Sequence, residues 1–208
     1  YNISISDQTL NFLKEELLVV PPNSKHLSKT ENIVIASGKT SINAAKNYAL
    51  SLGYDVKCIG YNLEGDAQLL GKKLSKIAID HQKSMCSNDN PILLLSGGEC
   101  TVNVSGSGEG GPNAEFALSA AISLNGRPGI SLLAGDTDGI DGKGTAAGAL
   151  VTPSTLRKAS DIDVDPQMYL QNSDSHSFFK LIDSQLITGP TLTNVNDFRA
   201  FMIRPFRN

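Results

Sequence analysis

Residues 129–148, GISLLAGDTDGIDGKGTAAG, join an apolar run to a cluster of acids and glycines. Ile130 to Ala134 is short and sharply bounded by glycine, which predicts a buried strand. The run ends at Gly135, and Asp136, Asp138 and Asp141 follow at once, spaced by Gly139 and closed by Gly142. Ligands of open α/β sheets bind in the crevice beyond the carboxyl ends of strands. Acids this close repel one another unless a cation, a hydrogen-bond donor or a substrate holds them. A solvated turn uses the same residue types, so the surrounding chain has to decide between the two.

Upstream, the pattern alternates. Residues 1–28 predict an amphipathic helix, Asp7 to Leu18 with Leu10, Leu13 and Leu17 at helical spacing, and then a linker around Pro21-Pro22. Asn32 to Ala36 predicts a strand and Thr40 onward a helix whose apolar face holds Ile42, Ala45, Ala49 and Leu52. Asp55 to Gly60 predicts the next strand. Glu64-Gly65-Asp66 opens a second helix with Leu70, Leu74, Ile77 and Ala78 inside. This β-α-β-α segment, 29–88, has the rhythm of a parallel sheet with covering helices. It is expected to pack with 89–208 as one α/β domain, Rossmann-like and three-layered, its sheet mostly parallel.

From Ile92 the expectation changes. Ile92 to Leu95 and Thr101 to Val104 read as a hairpin closed by Ser96-Gly97-Gly98-Glu99. Glycine dominates Gly106 to Gly111, and Asn113 begins a helix that reaches Leu124. Further extended chain is expected at Ala146 to Val151 and helix at Pro153 to Ala159. A broken helix pair follows around Asn172-Ser173-Asp174, and a last strand runs from Phe198 to Ile203.

Bulk properties narrow the function. The chain has 208 residues, 40% hydrophobic and 19% charged, enough for a sizeable core. Its formal net charge of -3 gives no basic footprint for nucleic acid. No apolar stretch has the length of a membrane span. Cys58, Cys86 and Cys100 form no C-x-x-C pair, which disfavours a disulfide framework or a zinc site and suits a reducing cytoplasm. The chain opens at Tyr1 in a polar, helix-like segment, so a preceding domain of the same protein is expected.

Three short motifs invite specific chemistry. Ser37-Gly38-Lys39-Thr40 resembles the tail of a phosphate loop, but Ile33 stands where that loop needs its first glycine. Asp136, Asp138 and Asp141 resemble the head of a calcium loop, but Ile140 and Ala147 occupy two of its ligand positions. Gly106, Gly108 and Gly111 satisfy G-x-G-x-x-G between a strand and a helix, with Asp136 ending the next strand. That spacing is longer than a dinucleotide site prefers, and Pro112 sits at the helix start; backbone amides there would still suit the phosphates of any nucleotide. His26, His81 and His176 have no partners at metal-ligand spacing, so structural or surface roles are expected.

The strings LLLSGGECTVNVSGSGEGGPNAEFALSAAI, AGDTDGIDGKGTAAGALV, YLQNSDSHSFF and ITGPTLTNVNDF, in this order, resemble the C-terminal half of the glycerate 2-kinases. This is the family with the MOFRL domain, whose members have also carried hydroxypyruvate reductase names. The resemblance implies transfer of phosphate from ATP, with Mg²⁺, to the 2-hydroxyl of D-glycerate, in a cleft closed by an N-terminal domain. It implies Asp136 and Asp138 as catalytic acids and Asp136, Asp138 and Asp141 as places for the metal. Nucleotide and substrate contacts would come from Ser96, Gly97, Gly98 and Glu99, from Gly108, Gly110, Gly111, Asn113 and Glu115, and from Thr137 and Gly139. Thr193, Asn194, Asn196 and Asp197 would complete them. The family's G-G-R-N-Q-E stands here as Gly110-Gly111-Pro112-Asn113-Ala114-Glu115, without the arginine, and its G-P-T-G-T as Gly189-Pro190-Thr191-Leu192-Thr193. Two other readings remain open: an NAD(P)H-dependent hydroxypyruvate reductase using Gly106, Gly108 and Gly111, and a non-catalytic nucleotide-binding module.

Overall fold

The computed structural model describes residues 5–16 and 29–206. The chain divides into two compact units, residues 1–35 and 36–208. In the first, α1 spans Asp7–Glu16, with Asp7 in its first turn and Lys14 in its last, the charge order that the helix dipole favours. Leu17, Leu18 and the expected linker lie outside the described residues. Asn32 to Ala36, expected as a strand, carries no regular structure, and Ile33, Val34 and Ile35 stand 71%, 82% and 91% exposed. β-Branched residues favour a strand only where a neighbouring strand and a packed face are supplied.

The second unit runs α2 (Gly38–Ser51), β1 (Asp55–Asp66), α3 (Ala67–Lys83), β2 (Ile92–Thr101), α4 (Pro112–Leu124), β3 (Ile130–Asp136) and β4 (Gly148–Val151). Then come α5 (Thr155–Ser160), α6 (Pro166–Gln171), α7 (Ser175–Leu181), β5 (Gln185–Leu186) and β6 (Asp197–Ile203). Side chains set the helix starts. Ser37 accepts a hydrogen bond from the Thr40 amide, and Asp66 from that of Leu69. Pro112 and Pro166 each occupy a first turn, where a missing N–H costs nothing. Asn125, at φ 48°, stops α4 in the left-handed conformation that asparagine tolerates.

The strands form one sheet in the order β1-β2-β6-β3-β4-β5. The α/β class stands, but the sheet is mostly antiparallel. Only β1 and β2 pair in parallel, whereas β2–β6, β6–β3, β3–β4 and β4–β5 are antiparallel. The cause is β6, which returns from the far end of the sequence and inserts between β2 and β3. The expected hairpin is also absent. Ser96-Gly97-Gly98-Glu99 lies inside a continuous β2, where its glycines allow close approach to β1. A Cβ on Gly98, at φ +126°, would sit 2.2 Å from Leu63 backbone, and one on Gly97 would sit 2.9 Å from the Tyr61 carbonyl.

Helices cover both faces. A Cβ on Gly97 would meet Ile42 of α2, and Phe198 pairs with Gly97 on that face. Phe201, an odd number of residues further on, points to the other face and meets Phe116 of α4 edge-on at 6.3 Å. α4 is enclosed nearly all round: Ala114, Phe116, Ala117, Leu118 and Ala120 are wholly buried. It lies tight against α3 because Gly71 has no side chain; a Cβ there would come 2.6 Å from the Phe116 carbonyl. Truncating Phe116 to alanine would cost about 3–5 kcal/mol, the usual range for a buried phenylalanine.

Candidate active site at the acidic rim

β3 ends on Asp136 and β6 begins on Asp197, and these two residues are direct partners across the sheet. The rim of the sheet is therefore acidic by construction. From Asp136 the chain turns into a loop that a second loop, 188–197, holds in place. Thr137 donates through Oγ1 to the Asn196 carbonyl at 2.8 Å and accepts there from the Val195 amide at 2.9 Å. The Thr191 hydroxyl donates to the Thr137 carbonyl, and the Thr191 amide donates to that of Asp138 at 3.1 Å. Asn194 Nδ2 donates to Asp138 Oδ2 at 3.3 Å. Gly139 is obligatory: it sits at φ +96°, and a Cβ would fall 2.1 Å from the Gly189 carbonyl.

Within this frame the first two acids form a local pair. The Asp138 amide donates to Asp136 Oδ1 at 3.0 Å, and the Ile140 amide to Asp138 Oδ1 at 2.8 Å. Burial raises the Asp136 carboxyl to about 6, opposed by the Asp138 amide and reinforced by the charges of Asp138 and Asp197. A carboxyl held up by burial and by like charge favours a cation or a proton at its free oxygen.

Asp141 behaves differently. It is buried, and its carboxylate caps α4: Oδ1 accepts from the Asn113 amide at 2.9 Å and Oδ2 from the Ala114 amide at 2.8 Å. Burial raises its pKa, and those two amides oppose the shift. Buried His176 presents Nε2 at 2.6 Å from the Asp141 carbonyl and 3.6 Å from Oδ2. Asn113 Nδ2 donates both to Asp141 Oδ1 at 3.3 Å and to Asp197 Oδ1 at 2.6 Å. Asp197 Oδ2 accepts from the Cys100 amide at 3.1 Å and from the guanidinium of wholly buried Arg199. Arg199 also donates to Cys100 Sγ at 2.9 Å and stacks 5.1 Å from the Phe116 ring centre. A buried polar chain thus runs from Arg199 through Asp197, Asn113 and Asp141 to His176. Burial pushes the Cys100 thiol up to about 11, with Arg199 pulling the other way.

The glycine loop faces inward as well. Its amides have partners in the bend between α6 and α7: Ser107 and Gly108 donate to the Asn172 side chain and carbonyl, and Glu109 to Asp174 Oδ1. A Cβ on Gly106, Gly108 or Gly110 would strike that bend, and one on Gly111 would fall 2.3 Å from the Asp141 carbonyl. These glycines therefore serve the close approach of two pieces of this chain. The start of the helix at Asn113 was expected to face phosphate, but its Asn113 and Ala114 amides face Asp141.

Of the residues expected at the site, the structure gathers Asp136, Thr137, Asp138, Gly139, Asn194, Asn196 and Asp197 at one rim, with Thr193 in the bracing loop. Gly98 joins them as the cross-strand partner of Asp197, while Ser96 is buried within β2 and Glu99 is exposed on it. Gly108, Gly110, Gly111, Asn113 and Asp141 form the support behind that rim. Glu115 lies one turn further into α4. Among the described residues no three His, Cys, Asp or Glu side chains converge on a metal position. The donor set that does fit Mg²⁺ is Asp136 with Asp138, since this ion takes one or two carboxylates plus substrate phosphates.

Of two buried participants, Arg199 was not expected, and His176 was expected only in a structural or surface role without a named partner. Arg199 had a signal: in DFRAFMI the alternation puts Asp197, Arg199, Phe201 and Ile203 on one buried face, and an arginine there requires partners. His176 had none, because its partner Asp141 is 35 residues away.

Fold and rim together define an α/β domain that offers a braced pair of aspartates at the carboxyl end of a central strand. Residues 92–197, half of the chain, match the MOFRL family, and the chain belongs to it. A Thermotoga maritima protein named D-glycerate 2-kinase is 38% identical over 190 residues, covering 91% of this chain and 45% of that protein. An Agrobacterium vitis protein with a provisional hydroxypyruvate reductase name is 43% identical over 172 residues, covering 82% of this chain and 39% of its own length. A crystal structure of glycerate kinase from Thermotoga maritima superposes with a TM-score of 0.83 at 35% identity, over 96% of this chain and 50% of that one. The chain therefore spans half or less of the length of these relatives.

Proposed function

We propose that this chain supplies the C-terminal part of an ATP-dependent glycerate 2-kinase, which moves the γ-phosphoryl group of ATP onto the 2-hydroxyl of D-glycerate and releases ADP. The observation that carries the reading is the Asp136–Asp138 pair, half-buried at the rim and braced by the 188–197 loop, in a chain so similar to a protein of that name. Phosphoryl transfer needs positioning and charge neutralisation more than covalent chemistry. Mg²⁺, when bound, would neutralise charge on the phosphates. Asp138, oriented by the Ile140 amide and the Asn194 side chain, would hold one side of the ion, and Asp136 the other or the proton leaving the substrate hydroxyl. A carboxyl with a pKa of about 6 is well placed to accept that proton near neutrality. The remaining cleft wall would come from an N-terminal domain of the same protein.

No helix among the described residues is long and apolar enough to cross a membrane. The reductase alternative draws no support from the glycine loop, whose central amides already have partners within the chain. The test is an assay of the full polypeptide with ATP, Mg²⁺ and D-glycerate. The kinase reading expects glycerate-dependent ADP release. Oxidation of NAD(P)H with hydroxypyruvate, without ADP release, would replace it by the reductase.

A further inference from the structure

Behind the glycine loop is a cavity of about 190 Å³ that the chemistry at Asp136 and Asp138 does not use. Val102, Val104 and Pro112 form its apolar walls, Gly110 and Gly111 a side without side chains, and exposed Lys143 a further wall. Glu115 also lines it. That residue is 1% exposed; its Oε1 accepts from Gln68 Nε2 at 2.8 Å, and its Oε2 has no partner among the described residues. A buried carboxylate oxygen without a partner is costly. Apart from exposed Lys143 and buried Ser173 the cavity offers apolar side chains and glycine backbone, and none of them donates to Oε2, which leaves it open to a donor from a bound molecule. An apolar cavity of about 150 Å³ takes up a benzene ring, so this one has room for a planar heteroaromatic group. Lys143 and Gly142, which line the cavity, lie in the same loop as Asp136 and Asp138, four to seven residues further along the chain.

We propose that this cavity seats the adenine base of the nucleotide, with Glu115 Oε2 accepting from the exocyclic amino group and Lys143 beside the phosphates. The assignment rests on the kinase reading above and names the part of the site that selects the nucleotide. One uncommitted oxygen suits the single amino donor of adenine. Guanine, which offers two adjacent donors to a carboxylate, would have to displace Gln68.

The discriminating pair is ATP and ITP. At the position facing Oε2 the adenine amino donor is replaced by a carbonyl acceptor, and the adjacent N1 changes from acceptor to N–H donor, which reaches Oε2 only if the base shifts in the cavity. Binding of each, with Mg²⁺, is measured by calorimetry on the full chain, on isosteric Glu115→Gln and on Val104→Trp, which narrows the cavity from an exposed position. The wild type is expected to bind ATP at least about 10-fold more tightly than ITP, the effect of one well-placed hydrogen bond. In Glu115→Gln, Oε1 still accepts from Gln68 while Nε2 offers a donor to the inosine carbonyl, so the preference should reverse. Val104→Trp should weaken both nucleotides about 10-fold with an unchanged melting temperature. An ATP-to-ITP ratio that is the same in wild type and Glu115→Gln would overturn the base pocket while leaving the kinase reading intact. Absence of binding by either nucleotide to the wild type would overturn both.

Discussion

The loop at 105–111 and the loop at 136–141 both depend on glycine for a close contact, and both follow strands that end near α4, yet they do opposite things. In the first, small residues let the chain press against the α6–α7 bend, and its central amides are taken up there. In the second, a single obligatory glycine lets the 188–197 loop brace two acids that stay at the rim. Asp141 belongs to the acidic loop in sequence but to the glycine loop in function, because its carboxylate closes the end of α4. A glycine-rich string before a helix therefore reports close approach, and what approaches can be the protein itself.

The sharpest way to break this contrast is Asp138→Asn. An asparagine keeps an oxygen for the Ile140 amide but loses the charge, so ADP release should fall by about 100-fold or more, with a melting temperature within a few degrees of wild type. A comparable drop in stability would make the acidic loop structural like its neighbour. Gly111→Ala should do the reverse. Its Cβ would overlap the Asp141 backbone, costing about 3 kcal/mol and lowering the melting temperature by about 6–12 °C. Normal thermal stability in that variant would show that the two loops are not locked together.

Asp141→Asn is milder and separates cap from metal ligand. It leaves one amide facing a side-chain N–H, a loss of about 1–2 kcal/mol read as a lower melting temperature. Turnover per folded molecule should stay near wild type; a fall as deep as that of Asp138→Asn would return Asp141 to the metal site. The smallest effect concerns pH. Because the folded Asp136 carboxyl sits near 6 against an ordinary 3.8, the native state holds its proton more tightly than the unfolded chain. Its contribution to stability is therefore greatest below about pH 4 and fades as pH rises toward 6. Melting curves of Asp136→Asn should be flatter across that window, and turnover in the wild type should decline as pH drops through 6.

Much of this was legible in the residues. The apolar run 130–134, the helix from Asn113, the helix pair around Asn172–Asp174 and the acidic rim all follow from local pattern. Sheet order did not, since the alternation of Asp197 to Ile203 says that a strand exists but not which strands it joins. Ser96-Gly97-Gly98-Glu99 misled because glycines that let two strands approach have the composition of a turn. Asp136 and Asp138 were found by charge density, but Asp141 could not be told from them until its cap contacts were known. His176 and Arg199 enter only through partners distant in sequence or across the sheet.

The place of β6 has a consequence for assembly. The strand that comes last among these elements is the one that zips β1–β2 to β3–β4–β5, with Phe201 between Leu94 and Leu132. Until residues 197–203 have been synthesised, the sheet exists only as two ribbons with open inner edges and a half-formed Asp197–Arg199 pair. The domain should therefore acquire its fold late, in one cooperative step of long loop closure, and a nascent chain arrested before residue 197 should be the species most exposed to aggregation and to chaperones.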